Sequence, residues 1–194
     1  MKPKAPHKKI ISGRFKGTTI ELPPSATTRS SKAIVLESFF NTIQFDIVDA
    51  TLVEVFSGSG SIGLEALSRG ASKVLFMEHD AEALRVLQRN INRTDPVGCE
   101  LFRGDSFHTI TQVIARLQHL NTKAYFYIDP PFSYREGMET VYEKMLALIA
   151  ALPADQTQMI VVEHMTPLTL DVTIGDYRQY KTKKFGKTSL SYYM

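Results

Sequence analysis

The sequence predicts an α/β fold: a mostly parallel sheet between helices, ending in an antiparallel hairpin. Three observations carry this. From Asp49 onward, short apolar runs alternate with helical stretches, as when strands are joined by crossover helices. The first of those runs enters a glycine-rich turn that opens a helix. The end of the chain holds two β-rich runs around Gly186.

In chain order, residues 10–22 form two short β-rich runs around Gly13 and Gly17, which predicts a small hairpin, and Pro23-Pro24 begins a polar loop reaching Ser31. From Lys32, Val35, Leu36, Phe39, Phe40 and Ile43 recur at helical spacing, so an amphipathic helix is expected to about Ile43. Candidate strands follow at Leu52–Phe56, Lys73–Glu78, Glu100–Arg103, Ala124–Asp129 and Met159–Glu163. Between them fall helices near Ile62–Ser68, Ala81–Asn92, Phe107–Leu120 and Glu139–Ala151. The last shows one apolar face of Val141, Tyr142, Met145, Leu148, Ile149 and Leu152. Tyr177–Lys184 and Thr188–Tyr193 supply the closing hairpin. The division is a basic extension over residues 1–45 (arm, β-hairpin and helix) packed on a catalytic domain over residues 46–194.

A chain of 194 residues with 43% hydrophobic content buries one core. Cys99 is its only cysteine, which excludes an intrachain disulfide and a cysteine-rich zinc site and points to a reducing compartment. The basic start leads into no apolar core, and no run is long enough to span a bilayer, so a cytoplasmic protein with no membrane partner is expected. It is taken as a monomer. His79, His108, His119 and His164 lack the spacing of a metal site, and no metal is expected.

The net charge of +3 is unevenly spread. Residues 1–33 carry eight basic and one acidic residue (+7), residues 178–194 carry five basic and no acidic (+5), and the middle therefore carries 3 − 12 = −9. Basic ends around an acidic body suit a polyanionic partner, although lysine-rich ends also serve solubility.

Leu52–Phe56 runs directly into Ser57-Gly58-Ser59-Gly60-Ser61-Ile62-Gly63. Glycines there let the backbone approach a ligand closely, and free amides at the helix start suit an anionic group. Glu78 lies twenty residues past Gly58 at the end of the next strand, where an acid can grip ribose hydroxyls. The spacing fits a dinucleotide and S-adenosylmethionine alike. Glu54, just before the turn, favours S-adenosylmethionine, because its charge would face the cationic methionine end and repel a pyrophosphate. The rival explanation is packing at a strand–helix turn. Asp105 closes Arg103-Gly104-Asp105-Ser106 after the third strand; it is either an adenine contact or the cap of the next helix.

Tyr125–Ile128 leads into Asp129-Pro130-Pro131-Phe132. Two prolines stiffen the backbone and fix the Pro130 carbonyl beside the Asp129 carboxylate, giving two acceptors on a rigid frame. An aromatic amine such as guanine N2 is a poor nucleophile because its lone pair is delocalised into the ring. Acceptors holding its hydrogens favour a more pyramidal nitrogen aimed at the sulfonium methyl. Phe132 would stack on the target base, worth ~1–3 kcal/mol per base in comparable contacts. Positioning supplies most of the catalysis, since the sulfonium is already activated. The alternative is an ordinary Pro-Pro turn.

These residues resemble the bacterial RsmD family of 16S ribosomal RNA guanine-N2 methyltransferases. The likeness rests on residues 54–71 (Glu-Val-Phe-Ser-Gly-Ser-Gly-Ser-Ile-Gly-Leu-Glu-Ala-Leu-Ser-Arg-Gly-Ala), Phe76-Met77-Glu78 and Asp129-Pro130-Pro131-Phe132. It extends to Ile-Ile-Ser-Gly-Arg-Phe-Lys-Gly at the start, residues 37–41, and Phe185-Gly186-Lys187-Thr188. The resemblance implies a class I methyltransferase (Rossmann-like) sandwich, S-adenosylmethionine as cofactor, and a guanine of the small ribosomal subunit or its assembly intermediate as substrate. It places Glu54, Gly58 and Gly60 at the methionine portion, Glu78 at the ribose and Asp105 at the adenine, and counts Phe56, His79 and Ser106 among the cofactor-binding residues. It sets Asp129, Pro130 and Phe132 facing the target amine, with Pro131 in the same catalytic loop. Two positions depart from the family pattern: Glu54 stands where Asp is usual, and Arg29-Ser30-Ser31 where Arg-Pro-Thr is usual. For RNA, Lys8, Lys9, Arg14, Lys16 and Arg29 are expected to form a phosphate-tracking surface beside the pocket. The target base must be unpaired or flipped out. The rivals are transfer to adenine N6 or a protein glutamine, a dinucleotide-dependent oxidoreductase, and a non-catalytic RNA-binding module.

Overall fold

Strands buried on both faces force helices onto both sides of the sheet. That is the arrangement in the computed structural model, which describes residues 6–24, 31–130 and 139–194. Arg29, Pro131 and Phe132 lie outside the described residues. In chain order the elements are β1 (His7–Lys9), β2 (Thr19–Glu21), α1 (Ser31–Thr42), β3 (Thr51–Val55), α2 (Ser61–Ser68), β4 (Lys73–Glu78), α3 (Ala81–Asn92), β5 (Cys99–Arg103) and α4 (Ser106–Leu120). They continue with β6 (Ala124–Ile128), α5 (Glu139–Ala150), β7 (Thr157–Met165), β8 (Thr173–Ile174), β9 (Tyr177–Phe185) and β10 (Thr188–Tyr193). Among the described residues no helix is long and apolar enough to cross a membrane.

The large sheet runs β5-β4-β3-β6-β7-β10-β9-β8. Its first five strands are parallel and β10 and β9 add antiparallel, as the sequence predicts. Alternate residues divide the core. Leu52, Phe76, Tyr125 and Tyr127 pack with α1, α2 and α3, while Val53, Leu75, Phe126 and Ile128 pack with α4 and α5. Ile10, Ile20, Val35, Phe39, Phe40 and Ile43 of the N-terminal extension belong to the first of these clusters, alongside Leu64, Leu190 and Tyr192. The extension thus packs its apolar side chains into the main core. β8, two residues long, is too short to leave a periodic pattern.

The N-terminal hairpin differs from expectation. Its first strand is β1, in the basic arm, pairing with β2 through Lys8 opposite Ile20. Residues 11–15 are committed elsewhere: Ile11 N and Ser12 N donate to the Glu65 carboxylate, Arg14 N to the Ser68 carbonyl at 2.8 Å and Phe15 N to Ser68 Oγ at 2.9 Å. A backbone held by the end of α2 cannot also pair as a strand. Gly13 makes the approach possible, since its φ is 83° and a Cβ there would stand 1.7 Å from the Ser68 carbonyl oxygen.

Candidate active site

The chain leaves β3 toward β4 on one side and leaves β6 toward β7 on the other, so the sheet's topological switch point lies between β3 and β6. In open α/β sheets ligands bind outside the strand carboxyl ends at this point. Val55 pairs with Ile128, which sets Phe56 and the glycine turn directly beside Asp129 and Pro130. The two loops singled out in the sequence are therefore neighbours.

The glycines of the turn divide their work. A Cβ on Gly63 would strike Phe76 and Val74 at 2.5 Å, and one on Gly60 would strike Leu87 at 2.3 Å, so these positions let α2 pack. Gly58, with φ at 54°, would point a Cβ into open space. Phe56 also has a positive φ of 60°, a strained conformation for an aromatic residue, and its ring meets Phe107 at 5.5 Å.

Glu54 has an assignment the sequence did not show. The Gly60 N-cap of α2 offers no side-chain acceptor, and Glu54 takes its place: Oε1 accepts from Ile62 N at 3.1 Å and Oε2 from Gly63 N at 2.8 Å. Glu54 therefore fixes the start of the helix, a structural task that the sequence reading did not give it. Burial pushes its carboxyl up to about 8, against the two amide bonds and the nearby Lys8 ammonium, which pull it down. Glu78 is buried and accepts from Gly58 N at 2.7 Å through Oε2 and from His79 N and Asp80 N at 2.8 Å through Oε1. It ties the turn after β3 to the turn after β4. The His79 side chain is exposed, with Nδ1 3.5 Å from Glu78 Oε1.

Past β5, Asp105 caps α4 through Oδ1, accepting from Phe107 N at 2.9 Å. Its other oxygen lies 3.8 Å from His108 Nδ1. Ser106 is buried, and its Oγ has no hydrogen-bond partner among the described residues. At the end of β6, Asp129 is partly buried and Pro130 buried. Sequence reasoning missed a neighbour here: Tyr127 Oη donates to Glu163 Oε2 at 2.7 Å, both residues buried. Burial and the adjacent Glu163 carboxylate hold the Tyr127 hydroxyl well above its ordinary range. An acid inside the apolar run Met159–Glu163 was the available signal.

The basic residues do not all gather at the crevice. Lys8 is close enough to act on Glu54, and the β1–β2 hairpin is anchored beside the turn by Asn90, whose Nδ2 donates to Glu21 O and Ser59 O at 2.9 Å. Lys9 is exposed on the same strand. Arg14 instead sits by Ser68, at the far end of α2, roughly 12 Å from its start. There it pairs with Asp95 and covers the Phe15 ring. Lys16 belongs to the same loop, with its N bonded to Gly13 O at 3.1 Å. Of the described residues expected beside the pocket, Lys8 and Lys9 lie on the hairpin next to the turn, whereas Arg14 and Lys16 lie by the far end of α2.

The family described as Conserved hypothetical protein 95 matches residues 8–194, from the first hairpin strand to the last residue. This chain belongs to that family. A relative, Ribosomal RNA small subunit methyltransferase D of Haemophilus influenzae, is 28% identical over 183 residues, covering 89% of this chain and 93% of its own. The solved structure of yhhF from Escherichia coli superposes with a TM-score of 0.75 at 26% identity over 97% of each chain. An RNA methyltransferase from Salinibacter ruber, solved in complex with S-adenosyl-L-homocysteine, matches with a TM-score of 0.54 at 15% identity, over 86% of this chain and 92% of its own. The RsmD likeness drawn from the residues and the family match agree, and the fold is the Rossmann-like methyltransferase sandwich.

Proposed function

We propose that this member of the family transfers a methyl group from S-adenosylmethionine to the exocyclic N2 of a guanine in small-subunit ribosomal RNA. The observation that carries the reading is the adjacency of the glycine turn and the Asp129-Pro130 corner on paired parallel strands at the switch point. The Haemophilus influenzae relative's name supports the substrate class, and the Salinibacter ruber complex supports the cofactor.

Three features fit an adenosyl cofactor. Gly58 leaves open room over the turn. Glu78 presents a buried carboxylate at a strand end, and its Oε2, holding one amide, has capacity for a ribose hydroxyl. Ser106 brings a buried hydroxyl with an unused bond at the end of β5. Bound there, the cofactor supplies a sulfonium methyl that transfers with release of a neutral thioether. The protein's part is orientation. Asp129 and the Pro130 carbonyl accept the two N–H bonds of the guanine amine, Asp129 or water takes the released proton, and Phe132 stacks on the base. Lys8 and Lys9 steady the RNA backbone beside the crevice and Arg29 is a further phosphate contact, while Arg14 and Lys16 reach only RNA that extends past the far edge.

Nucleoside mass spectrometry of ribosomal RNA from cells with and without the gene tests the reading. Loss of N2-methylguanosine from the small subunit is expected; loss of N6-methyladenosine instead would overturn the guanine assignment.

A further inference from the structure

We propose that the groove between α3 and the edge strand β5 is a second RNA-phosphate site, an inference that rests on the RNA reading above. Charge counting along the chain conceals it. Residues 81–105 hold Arg85, Arg89, Arg93 and Arg103 against Glu82, Asp95, Glu100 and Asp105, a sum of zero.

The fold separates the two signs. Asp95 is paired with Arg14, and Glu100 with Arg116 at 2.7 Å and Lys73 at 3.3 Å. Asp105 caps α4, and Glu82 sits on the first turn of α3 outside the groove. The groove, about 480 Å³, is lined by Ala81, Leu84, Arg85, Gln88, Arg89 and Arg103, so three guanidinium groups and no carboxylate face it. Glu21 pairs with one lining residue, Arg89, and is shared with Arg93. Arg85 and Arg103 have no ion pair among the described residues; Arg103 Nη2 has only a long contact of 3.4 Å to Gln88 Oε1.

Position argues for RNA. Arg103 ends β5 and Ala81 begins α3, both at the carboxyl edge of the sheet. From β6 to β5 is three strand spacings, about 14 Å, so a chain whose target base sits at Asp129 carries its neighbouring phosphates within reach. On its other flank α3 touches β2 through Glu21, and β2 pairs with the Lys8–Lys9 strand. Hairpin lysines, α3 arginines and Arg103 thus make one basic band beside the crevice. Guanidinium groups bind phosphate oxygens through two parallel hydrogen bonds, a geometry that suits the two non-bridging oxygens of a phosphodiester.

The test is an R85Q/R103Q double variant of the full chain. Its binding to a small-subunit ribosomal RNA transcript is measured against salt, with S-adenosylhomocysteine affinity as the check on folding. Two lost phosphate contacts make the slope of log affinity against log salt shallower by roughly 1.4–1.8, and lower affinity at 0.1 M salt by roughly 25- to 60-fold if the lines meet at 1 M. Cofactor-product affinity stays at the wild-type value, and R85K/R103K restores the slope because it restores the charge. A double variant with the wild-type slope and affinity would overturn the proposal. So would unchanged RNA binding together with lost binding to an acidic ribosomal protein. The slope is read from binding alone, so a wild-type protein that binds RNA but fails to methylate it sinks the functional reading and leaves the groove standing.

Discussion

The two edges of the parallel sheet both use buried glutamates, and they use them to opposite ends. At the amino edge, Glu65 is 1% exposed and fully engaged within the chain: it accepts from Ile11 N, Ser12 N and Arg69 Nε. A cation of the same chain balances its charge, and the contact closes. At the carboxyl edge, Glu54 and Glu78 are held by backbone amides. Amides orient a carboxyl group without saturating its oxygens, so Glu78 keeps acceptor capacity toward the crevice, while burial favours the neutral form of Glu54. One edge is fastened and the other left receptive.

The largest effect separates the edges by chemistry. Asp129→Ala is expected to lower the methyl-transfer rate by roughly 10²–10⁴-fold, the range for a positioned proton acceptor, while its denaturation midpoint stays near the wild-type value. Steady-state transfer of labelled methyl to RNA measures it. A loss below tenfold would remove Asp129 from the role given to it.

Glu65→Ala is the converse. Removing the acceptor of two amides and a guanidinium is expected to cost about 3–5 kcal/mol of stability, the range for breaking a buried pair. Urea unfolding reads the loss, and transfer per folded molecule should be unchanged. If stability held and transfer fell, the amino edge would be part of the site and the comparison would fail.

The parts of this contrast legible in the sequence are those encoded locally. Strands β3, β4, β6 and β7 announce themselves as apolar runs because both their faces are buried. The Asp129-Pro130 corner and the glycine turn are legible by residue type, whereas their adjacency depends on the strand order and shows only in the fold. β1 was misplaced because His-Lys-Lys carries no apolar alternation and its pairing depends on where Glu65 holds residues 11 and 12. The Glu65 clamp joins two stretches singled out for family likeness, 10–17 and 63–71, yet nothing in either says that they touch. The arginine groove was hidden for a similar reason: its compensating acids are neighbours in sequence and paired elsewhere in space.

A pH series sharpens the contrast at Glu54. Its folded value, about 8, lies above the 4.5 of an ordinary glutamate. The folded state therefore holds a proton that the unfolded chain has released, and stability contributed by the neutral form is full below about 4.5 and lost as pH rises through 8. Denaturation midpoints of the cofactor-free protein should fall across that window, and Glu54→Gln should flatten this part of the fall. A Glu54→Gln profile parallel to the wild type would show that the carboxylate is already ionised, neutralised by Lys8 and the α2 amides.

The smallest expected effect sets two glycines against each other. Gly13 and Gly58 both have positive φ, 83° and 54°, so an alanine at either carries similar backbone strain, about 1–2 kcal/mol. At Gly13 the added methyl also meets the Ser68 carbonyl at 1.7 Å, so Gly13→Ala must displace the loop from α2 and lose more stability than strain alone. At Gly58 nothing stands within 4 Å, so Gly58→Ala should cost little beyond the strain. Its methyl would instead project over the turn, where the adenosyl group is proposed to lie, and calorimetry with S-adenosylhomocysteine should show weakened binding in a protein that still folds. Unchanged binding would mean that the open side of Gly58 faces solvent alone, and the receptive edge would have to be sought further along β4 and β5.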